Sequence, residues 1–441
     1  MARKYGALIL ALEHRYYGES YPVPDMTTPN LAYLTSEQAL SDLARFRNYI
    51  ASAGLTDTRS SPTLNLKAPA DGPWVVFGGS YPGNLAAWFK LKYPSLAAGA
   101  ISSSAPLHAE YDFQQYAEVV GTALAYSKIG GSDACYSAVN KAVDRVQELI
   151  SLGRLSELPT GLRPCGKLSS REDLATYQGE LFGNFQGVVQ YNLEGRPPTV
   201  AQVCKIMVNG TDPLVQFAQA TQLIVGQQGG QKCVSSSFQK DTVDFLSNAT
   251  FSGYGCDRQC TSFRQWIYQS CNEFGYFQTT TGTDHPFTAF SALDVNVAGE
   301  QLCEAVYNLS KYGGPNTEFA NMNYGSRDLS GANITLSNGN MDPWHALGIV
   351  NRTDRFYESC SGEGCKSKQL LTKSESIVFI DGTSHCRDMY KPEVFGQGSQ
   401  YCPGPLCAPD TSAIKWGHAK IDANIAFYLS RYHRVESKTQ I

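Results

Sequence analysis

Three short polar loops, each following an apolar run, carry the residue types of nucleophilic catalysis. Ser80 lies in VVFGGSYPG, Asp342 in NITLSNGNMDPW and His385 in ESIVFIDGTSHC. A hydroxyl is a weak nucleophile until a base takes its proton, and the base needs a third group to orient it. Each member has a rival or a blander role. Ser80 also suits a helix N-cap, but a strand, two glycines and a helix-like segment around it favour catalysis. Asp342 precedes Pro343, as turn-forming aspartates often do; its competitor, Asp381, sits at the end of its strand, four residues before His385. Of the seven histidines, His385 is the one on a loop after a late strand. His345 shares the Asp342 loop, and His418 and His433 fall on the final helix.

The elements that must position these groups are legible as a pattern. Residues 7–12 and 74–78 read as buried strands, 36–53 as a helix, 84–93 as a helix and 98–103 as a further strand. Buried strands alternating with amphipathic helices imply a mostly parallel sheet covered on both faces. From about 108 the texture changes: FQQYAEVVGTALAYS and CYSAVNKAVDRVQELISLG read as amphipathic helices, and few buried-strand runs occur before 325. The strand-and-loop pattern then returns and ends in the helix TSAIKWGHAKIDANIAFYLSRY. The expected organisation is therefore an α/β domain in two parts, 1–107 and 325–441, with a largely helical insertion at 108–324. In an open parallel sheet, reactive groups belong at the carboxyl ends of strands. The chain order Ser, Asp, His is that of the α/β-hydrolase fold.

Composition narrows the class. The chain has 441 residues, 17% charged, with net charge −4, which leaves no basic footprint for nucleic acid. No run of 18 apolar residues occurs, so no membrane span is expected. Thirteen cysteines are many for this length, and Cys256/Cys260, Cys360/Cys365 and Cys402/Cys407 sit in short loops. None has zinc-site spacing and no C-x-x-C is present, so disulfides are expected, and neither a metal nor a cofactor. Sequons at Asn209, Asn248, Asn308, Asn333 and Asn351 agree with a glycoprotein of an oxidising compartment, secreted or lysosomal. MARKYGALILALEHRYYGES is not a signal peptide: the apolar run is short and no small-residue cleavage site follows. Residues upstream of Met1 are the expected resolution.

LEHRYYGES, FGGSYPGNLAAWFKLKYP, QWIYQSCNEFGYFQT, NGNMDPWHALG and DGTSHCRDMY together resemble the landmark segments of one peptidase family. It includes prolylcarboxypeptidase, dipeptidyl-peptidase II and thymus-specific serine protease, and the segments around Asp342 and His385 are most similar to the last of these. The resemblance runs from residue 1 to the final helix. It implies an α/β-hydrolase domain interrupted by a helical cap, and a secreted or lysosomal exopeptidase acting on peptides, often beside proline. It implies a triad of Ser80, Asp342 and His385, and frequent homodimers. Two departures stand out: the family has two more strands before the segment matching residue 7, and often Gly-Gly where this chain has Pro82-Gly83. An esterase or lipase on the same fold, or a non-catalytic glycoprotein, are the alternatives.

Around the triad, the Tyr81 backbone N–H, next after the nucleophile, is an expected oxyanion donor. A second should come from the EHRYYGES loop, with Tyr17 at its centre. Trp344, two residues past the acid, is a candidate wall for a proline ring or a plain core residue. Glu273 is a candidate partner for a substrate amino terminus, against a structural hydrogen bond or ion pair. Cys386 is expected in a disulfide, and Asp388 as a residue orienting the His385 loop. Pro82 does not spoil the elbow. It falls in the first helical turn, where amides lack intrahelical partners and proline is favoured.

Overall fold

Strands apolar on both faces need helices above and below the sheet, and the two inner strands of the central sheet are buried along their whole length. The structure, a computed structural model, describes residues 1–57, 64–66, 72–192, 198–226, 232–251, 262–309, 313–350, 375–390 and 411–439. Asn351 and the loop cysteines Cys256, Cys260, Cys360, Cys365, Cys402 and Cys407 lie outside them.

A short hairpin, β1 (Leu55–Asp57) and β2 (Leu64–Leu66), follows helix α1 (Ser36–Ser52), whose N-cap Thr35 accepts the Gln38 N–H. The main sheet contains β3 (Val75–Gly79), β4 (Gly99–Ser103), β7 (Ile334–Gly339) and β8 (Glu375–Ile380), all parallel, in the order β3-β4-β7-β8. Between them, β5 (Glu110–Phe113) and β6 (Gly275–Gln278) form a small parallel pair. Helix α2 (Tyr81–Lys92) returns from β3 across the sheet and buries Trp88, which stacks on Tyr324 at 3.9 Å. The region between β4 and β7 is mainly helical: α3 (Gln115–Ala125), α4 (Asp133–Ser151), α5 (Arg171–Gln190), α6 (Val200–Val208), α7 (Pro213–Gly226) and α8 (Phe263–Gln269). Their starts are spelled in the sequence: Ser132 and Ser170 cap α4 and α5, and Thr199 with Gln202 makes a capping box on α6. Among the described residues, the disulfides Cys135–Cys204, Cys165–Cys233 and Cys271–Cys303 staple this region. The last helix, α9 (Thr411–Thr439), packs Ile414, Ile421, Ile425 and Tyr428 against Ile101, Val378 and Ile380 of the sheet.

One expected element is not there. Residues 7–14 form no strand, and Leu8, Ile9 and Leu12 are exposed, Ile9 to 75%. The apolar run satisfies the local pattern of a buried strand, but a strand exists only through its ladder partners. Among the described residues β3 pairs with β4 alone, and Phe77 on it is 46% exposed.

Candidate active site

The carboxyl ends of β3, β7 and β8 carry Ser80, Asp342 and His385 to the same end of the sheet. Ser80 forms a sharp elbow between β3 and α2, with φ 62° and ψ −135°. A serine in this part of backbone space is strained, as a nucleophile elbow requires. Its N–H donates to Ser103 O (2.9 Å) at the end of β4, and its carbonyl accepts the Gly83 N–H (2.8 Å). The turn closes because two positions lack a side chain. A Cβ on Gly78 would lie 1.8 Å from the Pro82 carbonyl oxygen, and one on Gly83 would lie 2.7 Å from Ser103 O. The close approach usually assigned to the second glycine of G-x-S-x-G is thus made by Gly83, one residue later, and Pro82 occupies the first turn of α2.

Asp342 is fully buried and His385 is 4% exposed. His385 Nδ1 lies 3.0 Å from Asp342 Oδ1 and 2.9 Å from Oδ2. Oδ1 also accepts the Trp344 backbone N–H at 3.0 Å, so the carboxylate is oriented before it meets the imidazole. Burial is the largest single influence on His385 and opposes its charge, but the Asp342 carboxylate and Cys386 together outweigh it, and the imidazole pKa stands well above its ordinary value. The structure thus brings Asp342 and His385 together, and places Ser80 at the end of β3, with β4 between it and β7, without a hydrogen bond from its Oγ to His385. In a ligand-free site that bond is often long and closes only on substrate. The loops of His385 and Ser80 do meet: a Cβ on Gly79 would lie 2.9 Å from Cys386 Sγ.

The loop carrying His385 is pinned from several sides. Cys386 N–H donates to Ser104 Oγ (2.8 Å), and Ser103 Oγ donates to Asp388 Oδ1 (2.5 Å). His418 on α9 bonds the Asp388 carbonyl at 2.7 Å. Asp388 therefore ties the loop to β4, and burial pushes its carboxyl pKa up against the Ser103 hydrogen bond. Cys386, expected in a disulfide, is a free thiol; it follows His385 directly and its side chain hydrogen-bonds it. Asp381 is engaged elsewhere: Tyr126 Oη (2.5 Å), Asn340 Nδ2 (2.7 Å) and Lys128 all meet its carboxylate. His345 Nδ1 bonds the Asp342 backbone carbonyl at 2.6 Å rather than its carboxylate.

The accessory residues fall less uniformly. Tyr81 is buried, and its backbone N–H stands in the first turn of α2, where no intrahelical acceptor exists. Its hydroxyl points away from that duty. His14 Nδ1 faces the Arg15 carbonyl at 2.7 Å, so it carries the proton, and Nε2 accepts the Tyr81 O–H at 3.1 Å. Tyr17 packs edge-on against His14 (5.2 Å), but both its donors are spent. Its N–H goes to the His14 carbonyl (3.1 Å) and its O–H to Gln269 Oε1 (2.5 Å). Both donors of Tyr17 are therefore engaged within the protein in this structure. Glu273 is likewise engaged: both carboxylate oxygens accept the Ser36 N–H (3.1 and 3.0 Å), and Oε1 accepts its hydroxyl (3.2 Å), at the start of α1. That leaves the carboxylate held inside the protein at a helix N-terminus, where the dipole favours it. Burial nevertheless raises its pKa to about 7, with the Ser36 hydrogen bonds pulling the other way.

Trp344 is 6% exposed and belongs to the main core, yet its ring centroid lies 6.3 Å from that of His385. Phe113, Tyr116 and Tyr276 surround it at 5.5, 5.7 and 5.6 Å, and an aromatic series continues through Phe274 to Tyr81. Sequence reasoning missed Gln190. It ends α5 and contacts the loops of Asp342 and His385, but no motif surrounds it. Of the sequons, Asn209, Asn248 and Asn308 are exposed. Asn333 is half-buried and donates its side-chain nitrogen, the atom that would carry a glycan, to Ala98 O at 2.8 Å. Among the described residues no cluster of His, Cys, Asp and Glu could hold a metal ion, and no helix is long and apolar enough to cross a membrane.

A parallel sheet that projects a serine from a strand-to-helix elbow, with an Asp–His pair from the strands beyond, defines the α/β-hydrolase class. Within that class, a model of the serine carboxypeptidase S28 family matches residues 1–395. The chain belongs to that family and is a serine-type peptidase. It is 33% identical to the thymus-specific serine protease of Mus musculus over 99% of this chain and 77% of that protein. The Homo sapiens thymus-specific serine protease is 34% identical over 88% of this chain and 70% of its own length. The Homo sapiens lysosomal Pro-X carboxypeptidase is 27% identical over 85% of this chain and 72% of its own length.

Proposed function

We propose that this peptidase is an exopeptidase that works through an acyl-enzyme on Ser80, with His385 as base and Asp342 as its orienting partner. The observation that carries the reading is the buried Asp342–His385 pair, 2.9 Å apart, one loop from a serine at φ 62°. Ser80 Oγ attacks the scissile carbonyl as His385 Nε2 takes its proton. The Asp342 carboxylate holds the proton on Nδ1 and stabilises the imidazolium that forms. The Tyr81 N–H receives the developing oxyanion. His385 then gives its proton to the leaving amine, and water repeats the sequence to release the acyl group.

The aromatic series ending at Trp344 supports a preference for a proline ring beside the scissile bond, since an aromatic face packs well against the apolar CH2 groups of a pyrrolidine. The name of the human relative, Pro-X carboxypeptidase, agrees with it. We divide the chain into a hydrolase domain, 1–107 and 325–441, and a cap, 108–324. The three disulfides and the lysosomal relative support a secreted or lysosomal setting. A homodimer belongs to the same proposal, and sedimentation would read it.

Fluorophosphonate labelling followed by peptide mapping tests the mechanism. The modified residue should be Ser80, and Ser80→Ala should abolish both labelling and hydrolysis. Labelling elsewhere, or none in folded protein, would reject the triad. A panel of peptides with and without proline, run beside p-nitrophenyl esters, separates the peptidase from an esterase.

A further inference from the structure

We propose that Gln190 is a positioning residue that holds the base loop and the acid loop in register from the helical insertion. The inference rests on the triad read above. Gln190 is the last residue of α5, so its carbonyl is among those a helix leaves without an internal partner. That carbonyl accepts the His385 backbone N–H at 3.0 Å. The side chain reaches the other loop. Its Oε1 accepts the Trp344 indole Nε1–H at 3.2 Å and the Tyr116 O–H at 2.5 Å.

The orientation of the amide is settled by its neighbours. An indole nitrogen only donates, so the group facing Trp344 must be the amide oxygen. Both lone pairs of Oε1 are then used, and Nε2 is turned to Tyr191 Oη at 2.8 Å. The Tyr191 ring stands edge-on to His385, 6.3 Å between centroids. Trp344 in turn controls the acid, because its backbone N–H holds Asp342 Oδ1. A single residue of the insertion thus touches the base through its backbone and the acid through the tryptophan that orients it. A displacement of α5 by a fraction of an ångström moves both partners of the Asp342–His385 pair.

An apolar side chain of the same length would fill the space and keep the backbone contact. It would also leave the Trp344 indole N–H and the Tyr116 hydroxyl facing a group that cannot accept. The role assigned to Gln190 is therefore tied to its acceptor oxygen and not to its volume, and this separates positioning from packing.

The test compares Gln190→Met and Gln190→Glu with the unaltered chain. Active sites are counted by fluorophosphonate titration, and kcat and KM are measured on a prolyl peptide. The methionine variant should lose about tenfold or more in kcat per titrated site, since small misplacements of reacting groups cost that much. Its KM should change far less. The glutamate variant keeps a two-electron-pair acceptor and should recover most of the lost kcat. Should the methionine variant not fold, Gln190→Ala carries the same expectation. Unaltered kcat per titrated site, a loss confined to the number of titratable sites, or a glutamate variant no better than methionine would each overturn the inference. If the unaltered chain itself is not labelled at Ser80, the triad falls, and the inference with it.

Discussion

Asp342→Asn is the sharpest test of the site because the structure dictates which way the new amide turns. Asp342 Oδ1 accepts the Trp344 backbone N–H at 3.0 Å, and a backbone N–H can only donate. The amide oxygen of the asparagine must therefore stay there, and its NH2 group takes the place of Oδ2, 2.9 Å from His385 Nδ1. An NH2 group can only donate, so at 2.9 Å it opposes the Nδ1–H tautomer, which keeps only the amide oxygen at 3.0 Å, and shifts the ring proton towards Nε2. Ser80 then faces an N–H where it needs a lone pair. A wrong tautomer of this kind lowers kcat on the order of 10⁴-fold, or about 5 kcal/mol of barrier. Fold is preserved, since the Trp344 contact survives. The pH profile should move as well. His385 acts as base only when neutral, and Asp342 holds its pKa well above the ordinary value, so activity rises with pH through that raised pKa. Without the carboxylate, burial dominates, the imidazole pKa falls and the acid limb shifts to lower pH. Steady-state kinetics from pH 5 to 9, normalised to titrated sites, reads both effects. A loss under about tenfold, with the limb unmoved, would refute the tautomer argument.

Two further substitutions probe the surroundings. Glu273 has a folded pKa of about 7 against an ordinary 4.5, so the folded state holds its proton more tightly than the unfolded chain. Its contribution is full below 4.5 and is lost as pH rises towards 7, about 3 kcal/mol in all. Glu273→Gln, which still accepts from Ser36, should therefore raise the Tm at pH 8 and leave it nearly unchanged at pH 4.5; equal shifts at both would be inconsistent with a buried carboxylate. At the elbow, Pro82→Gly should alter kcat/KM within about threefold, because position 82 uses neither a donor nor a free φ. Gly83→Ala forces a Cβ to 2.7 Å from Ser103 O and 3.0 Å from the Ala105 Cβ, and should cost about 1–3 kcal/mol of stability along with activity. A tolerant Gly83 and a sensitive Pro82 would reverse the account of the turn.

The groups legible in the sequence are those whose position follows from a nearby strand. Asp342 and His385 each trail an apolar run, and β7 and β8 are adjacent, so their meeting follows once the runs are strands. The rivals fail for reasons that no local pattern contains. Asp381 is taken by Lys128 and Tyr126 from the helical insertion, and His345 by a backbone carbonyl. Residues 7–12 mislead in the same way, because apolar spelling specifies what a strand would bury and not which ladder would hold it. Tyr17 and Glu273 have the right chemistry, but their hydrogen bonds go to Gln269 and Ser36, each more than two hundred residues away. Gln190 carries no spelling at all, since an amide at a helix end acquires meaning only from what two distant loops place beside it.

The serine elbow sharpens the distinction between a motif and the requirement behind it. G-x-S-x-G fails here at Pro82, and a literal search would pass over the site. What the turn needs is a serine at positive φ, an amide left free after it, and no Cβ where the end of β4 passes. Gly83 meets the last condition, Gly78 leaves room for the Pro82 carbonyl on the other side of the turn, the Ser80–Ser103 hydrogen bond holds the strand end against it, and proline sits where a missing N–H is harmless. The spelling has shifted by one residue while the steric condition is unchanged. Activity should therefore follow the space at residue 83, and be nearly indifferent to the identity of residue 82.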